Sequence, residues 1–226
     1  MRRTPGFAIF PCAVALVLAA AAPTPAAQIM GLGANAVMES RRGDCHALSL
    51  VALDERKRPV IRGRVCLRKS AALHYLTRRG DQVVAVLWNQ VEIYSFADPR
   101  RPALVRSIAL DETHPSWGGG GLVHEPDRLL ILGTTVSAAL TTTGPPADWT
   151  VRNLEPTDEL RRRTEGLYDQ RAREQGQGTV RIEGGVFEVF WTEKRTGPGA
   201  IEHRQHLRVV ESGATLPIDT WLETID

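Results

Sequence analysis

Six histidines are the residues best suited to chemistry near neutral pH. His203 and His206 stand three apart in IEHRQHLRVVES, a segment whose pattern predicts a strand, where residues i and i+3 point to opposite faces. They could share a metal only on a helix or a bend, and no cysteine supports them. His114 and His124 flank the run Trp117–Gly121 and would converge only across that loop. Its four consecutive glycines could offer backbone amides to an anion, but a phosphate loop also needs a GK[ST] and a following helix. The run reads instead as an irregular strand start where another backbone comes close. Ser116 lies near His114, yet the chain has neither a G-x-S-x-G elbow nor a triad order. Asp54-Glu55 and Asp111-Glu112 sit in turns, where paired acids are ordinary. No EF-hand calcium loop and no dinucleotide fingerprint occurs. The expected catalytic, cofactor-binding and metal-ligating residues are therefore none.

The N-terminal segment sets the compartment. Arg2 and Arg3 precede an apolar stretch over Phe7–Ala22, followed by PTPAAQ. A basic start, a short apolar core and small residues at a cut site predict a secretory signal peptide over 1–27. The stretch is shorter than the ~20 residues of a spanning helix, so no stable membrane insertion is expected after cleavage. Loss of Arg2 and Arg3 takes the 28 basic residues to 26, matching the 26 acidic ones. The pI of about 8.6 for the whole chain thus says little about anionic partners. The Arg clusters at 56–58, 100–101 and 161–163 are interspersed with acids, so nucleic acid is not an expected partner. Cleavage also removes Cys12 and leaves Cys45 and Cys66, an even pair in an exported chain, which argues for one disulfide.

The elements that must position these residues are strands. Gln82–Trp88 is apolar on both faces and suits a strand covered on both sides. Val91–Phe96 and Ala103–Leu110 follow, separated by a turn in which Asp98 can accept amide hydrogen bonds and Pro99 pre-sets φ. The stretch 48–67 lies 43 residues before 91–110, and at that offset Leu48 falls on Val91, Pro59 on Pro102 and Leu67 on Leu110. A period of this length made of short strands is the spacing of four-stranded propeller blades. With the first turn centred on Glu55-Arg56, Val51 faces Val60 and Cys45 faces Cys66; a register error of two would leave the cysteines a diagonal pair. Residues 28–44 read as a lead-in with at most one short strand at 35–39. Further strands are expected at 71–77, 118–124, 128–134, 179–183, 186–192 and 201–212, with two degenerate ones in 135–155. A helical insertion is expected around 157–174, within 156–177, capped by Thr157.

The repeat resembles the blades of bacterial secreted β-propellers of the LVIVD type, carried here by Phe96, Asp98, Pro99, Pro102, Leu104 and Val105. The first copy departs from it, with Glu55 and Arg56 in place of Asp-Pro. The resemblance spans about 46–134 and implies a protein acting at or outside the cell surface, largely through protein contacts. The expected fold is mainly β: a short or partial propeller of about four four-stranded blades over 28–226, with a β-sandwich as the alternative. About 200 residues at ~43 per blade lie near the lower limit for closure, so association into a homo-oligomer is also an expectation. The functional expectation is a secreted or periplasmic, non-enzymatic binding or scaffold protein with a protein or glycan partner. The alternative is an extracytoplasmic hydrolase or lyase using loop residues near His114 and His124.

Overall fold

The structure, a computed structural model, describes residues 28–42, 45–67, 73–87, 89–110, 121–133, 137–155, 157–163, 178–197 and 199–224. Its fold is mainly β. Among the described residues sixteen strands form four separate four-stranded antiparallel sheets, each a meander in chain order. The first sheet holds β1 (Ile29–Leu32), β2 (Asn35–Arg42), β3 (Cys45–Leu53) and β4 (Pro59–Cys66). The second holds β5 (Leu73–Arg79), β6 (Gln82–Leu87), β7 (Gln90–Ser95) and β8 (Ala103–Ala109). The third holds β9 (Gly121–His124), β10 (Arg128–Leu132), β11 (Ser137–Thr141) and β12 (Thr150–Leu154). The fourth holds β13 (Thr179–Ile182), β14 (Gly185–Gly197), β15 (Ala200–Val209) and β16 (Thr215–Thr224).

The repeat seen in the sequence holds at the level of atoms. Leu48 pairs with Val65 in the first sheet, and Val91 pairs with Ile108 in the second, 43 residues on. Both β3–β4 and β7–β8 carry a bulge at the same point, after Leu50 and after Ile93. Such a bulge bends the outer strand and increases its twist, which suits a blade edge. The turns differ in detail. Asp98 Oδ1 accepts from the Arg100 amide at 2.9 Å, as the Asp-Pro turn requires. In the first sheet the same role falls to Asp54, displaced by a single residue, which accepts from the amides of Arg56 and Arg58 at 2.9 and 2.8 Å.

Two expectations need correction. Residues 28–44 are no lead-in, because β1 and β2 make half of the first sheet. Their match to the second sheet was hidden by an insertion: Val37 corresponds to Val84 at an offset of 47, not 43, since β2 and β3 stay paired further toward their connection than β6 and β7 do. The first hairpin register is also shifted. Val51 faces Ile61, and Ala47 faces Cys66. Cys45 is therefore diagonal to Cys66, and the two form a disulfide with Cα atoms 5.8 Å apart. Of the expected helical insertion, 158–163 is helical, with Thr157 Oγ1 accepting from the Leu160 amide at 3.2 Å. The remainder, 164–177, lies outside the described residues.

Three apolar seams hold the sheets together. The second and third share Val84, Val86, Val91, Ile93, Leu129, Ile131, Ala138 and Leu140. The first and second share Val37, Leu48, Leu50, Val83, Ala85, Leu87, Tyr94 and Phe96. The first and fourth share Ala36, Met38, Val51, Phe187, Val189, Leu207 and Val209. The packing order is thus fourth, first, second, third, with the last sheet of the chain lying against the first. Innermost strands β13, β1 and β5 adjoin one another along one side, as at the axis of a propeller. Among the described residues no buried apolar cluster joins the third sheet to the fourth. The far face of the third sheet, Leu130, Leu132 and Ala139, packs instead with Leu160 of the short helix. Among the described residues the four sheets form an arc, as in a partial propeller.

Candidate functional site

Polar side chains in the seams come first, since buried polar groups either bond or mark a site. Between the first and fourth sheets, Ser40 and Ser49 share a buried hydrogen bond of 2.7 Å. Arg64 Nε donates to Ser49 Oγ at 2.8 Å, and its Nη2 donates to the carbonyl of Ile218 at 2.9 Å. From the other side Gln205 Nε2 donates to the carbonyl of Glu39 at 3.1 Å. Ser49 is wholly buried, and since the Arg64 guanidinium can only donate to it, its own proton is directed to Ser40. The set fastens the first sheet to the fourth.

Glu39 extends the same end of the arc toward the second sheet. Its Oε1 lies 2.5 Å from His46 Nε2, and its Oε2 accepts from the Gln28 amide at 3.5 Å. Gln28 Nε2 in turn donates to the carbonyls of Leu73 and His74 at 3.2 and 2.9 Å. In the second sheet Glu92, 43 residues after Ser49, is fully buried and accepts from Gln90 Nε2 at 2.9 Å and from the Tyr94 hydroxyl. A carboxylate so enclosed is tolerable because it has these donors.

At the opposite end, Arg79 ties the second sheet to the third. Its Nε donates to Thr142 Oγ1 at 2.8 Å, and its Nη2 donates to the carbonyls of Glu125 and Pro126. Beside it His124 Nε2 lies 2.9 Å from Thr77 Oγ1. Burial, and then the charge of Arg79, hold the His124 pKa below its ordinary value. Glu125 bonds Arg128 at 2.6 Å and Arg163 of the short helix at 3.4 Å, and the Arg128 bond above all keeps its carboxyl below the usual range.

The histidines weighed as candidate ligands are placed as follows. His203 and His206 do point to opposite faces of β15. His203 is buried toward the first sheet with its Nδ1 3.4 Å from Glu193, whereas His206 stacks on Phe190 at 5.0 Å and meets Thr192 at 3.0 Å. His114 and most of the Trp117–Gly121 run lie outside the described residues, so only Gly121, the first residue of β9, has a place. Among the described residues no group of three His, Cys, Asp or Glu is placed to hold a metal.

A concave surface lies between the first and second sheets, a cleft of about 510 Å³ lined by Asn35, Arg62, Asp98, Pro99 and Arg100. The Asp98-Pro99 turn is wedged against β4, so closely that a Cβ at Gly63 would lie 2.0 Å from the Pro99 carbonyl oxygen. Arg62 and Arg100 are exposed, and neither guanidinium is engaged by another described residue. The Asp98 turn was legible in the sequence. The cleft was not, because Arg62 and Asn35 reach it only through the packing of two blades.

No protein-family model matches the chain, and no curated protein matches it in sequence. Forty-six solved chains resemble it in structure. One is a functionally unknown protein from Desulfotomaculum acetoxidans, at 8% identity and a TM-score of 0.44 over 91% of this chain and 63% of that one. PorZ, a surface component of the type-IX secretion system of Porphyromonas gingivalis, aligns at 14% identity and 0.34 over 81% of this chain and 20% of that one. The CNH domain of AfRom2 aligns at 10% identity and 0.35, over 88% and 71%. The chain thus spans less than two thirds of the first of these structures. Scores at this level carry no assignment, and the fold rests on the chain's own sheet topology.

Proposed function

We propose that this chain is an exported, non-enzymatic binding or scaffold protein that acts through protein or glycan contacts. The observation that carries the reading is the contrast between seams and surface. Ser40, Ser49, Arg64, Gln205 and Arg79 are committed to holding sheets together. The cleft between the first two blades meanwhile keeps two exposed guanidinium groups open to solvent. Export through a signal peptide at 1–27 is part of the proposal, supported by the Cys45–Cys66 disulfide, which persists in oxidising compartments. So is kinship with LVIVD-type blades, supported by the 43-residue repeat and its shared bulge. Crosslinking of the folded mature protein in periplasm or medium should capture a specific partner, absent when the protein is unfolded. Capture of nothing would overturn the reading.

A second reading, a hydrolase or lyase, is favoured by one observation. His124 Nε2 stands 2.9 Å from the Thr77 hydroxyl, a His–hydroxyl pair of the kind general-base chemistry uses. Replacing His114 and His124 together would abolish turnover of a hydrolytic or lyase substrate under this reading and leave partner capture intact under the first.

A further inference from the structure

The cleft between the first and second blades has a chemistry of its own. Arg62 projects from β4, and Arg100 from the β7–β8 turn, so the two guanidinium groups arrive from different sheets. Each presents planar N–H donors suited to a carboxylate. Asp98 spends Oδ1 on the Arg100 amide, leaving Oδ2 as an acceptor on the same wall. Asn35 adds an amide that both donates and accepts, matching a peptide group. Among the described lining residues no aromatic ring is present for a sugar to stack on. The volume lies within the range of small-ligand clefts.

We infer that this cleft binds an acidic peptide segment of a partner protein, with Arg62 and Arg100 on a side-chain carboxylate and Asp98 and Asn35 on the adjoining backbone. The inference deepens the binding reading above and rests on it. The geometry of the turn makes the site durable, because Pro99 is held against Gly63 while the Arg100 side chain stays free.

The test titrates the folded mature protein with a fluorescent eight-residue peptide of alternating Glu and Gly, with its Gln analogue, a heparin tetrasaccharide and inorganic phosphate as comparators. Saturable binding of the Glu peptide is expected, weakened about tenfold or more in Arg62→Ala/Arg100→Ala and by added salt. On the unaltered protein, the backbone amides of Asn35 and Arg100 should shift in NMR spectra as the Glu peptide is added. This second measurement holds even if the double variant fails to fold. Equal binding of the Gln peptide, or no shift at Asn35 and Arg100, would overturn the inference. So would heparin binding without peptide binding, which assigns the cleft to sulfated glycan, or phosphate binding as tight as the peptide, which reduces it to an anion site. Partner capture by crosslinking that persists in the double variant would overturn the cleft's role alone and leave the binding reading standing.

Discussion

Gly63 is where the second blade's turn meets the first blade's backbone, and any side chain there must displace the Pro99 carbonyl. Gly63→Ala should therefore destabilise the protein by about 1–3 kcal/mol through overpacking, read from urea unfolding. Gly197→Ala is the matched control, since open space surrounds that position. A second residue-scale expectation concerns acid. The unfolded chain binds a proton on His124 near the ordinary value of about 6.5, whereas the folded chain takes it up only at lower pH. Over that window the unfolded state holds more protons, so stability contributed by His124 is full above about 6.5 and declines as pH falls toward the folded value. An NMR titration should find His124 below its ordinary value, and Arg79→Gln should move it upward by removing a nearby charge. An unshifted His124 in the parent protein would contradict the packing described.

At the scale of elements, the β3–β4 hairpin carries a covalent staple across a sequence separation of 21. A Cys45→Ser/Cys66→Ser variant should lose roughly 3 kcal/mol on the chain-entropy model, measured by urea unfolding without reductant. An equal loss in the parent protein on reduction would attribute the effect to the bond itself. The disulfide was legible from the hairpin even though the register was read two residues out, because diagonal neighbours are still near. Gln82–Leu87 was legible too: an unbroken apolar run can lie only between two covered faces, and it does. β1 escaped notice, and β2 is expected only as a short strand at 35–39, because Glu39, Ser40 and Arg41 break the apolar pattern. Two of these find their partners only in other elements, Glu39 in His46 and Ser40 in Ser49. The seam polar groups as a class were illegible for the same reason, since a Ser or Gln in a strand announces nothing until the opposing blade is in place. The LVIVD-like motif, by contrast, was legible because it describes a local turn.

For the whole molecule, the decisive fact is the order in which the sheets pack. The third sheet ends the arc with Leu130, Leu132 and Ala139 packed with Leu160 of the short helix. Leu160→Asp should uncover that apolar face, lowering stability by about 1–3 kcal/mol and producing concentration-dependent association in sedimentation velocity. A variant that stays monomeric and unchanged in stability would show the face to be covered otherwise. The other end of the arc has a different consequence. The fourth sheet fastens onto the first through Arg64–Ile218 and Gln205–Glu39, contacts spanning 154 and 166 residues. Ala36, Met38 and Val51 thus lack the apolar cover of Phe187, Val189 and Leu207 until the fourth sheet has been made. A chain emerging N-terminus first carries that face uncovered while the intervening sheets are made, so the first sheet completes its packing late. In the living cell, the time this protein is most vulnerable to aggregation is set by the length of chain between those two sheets.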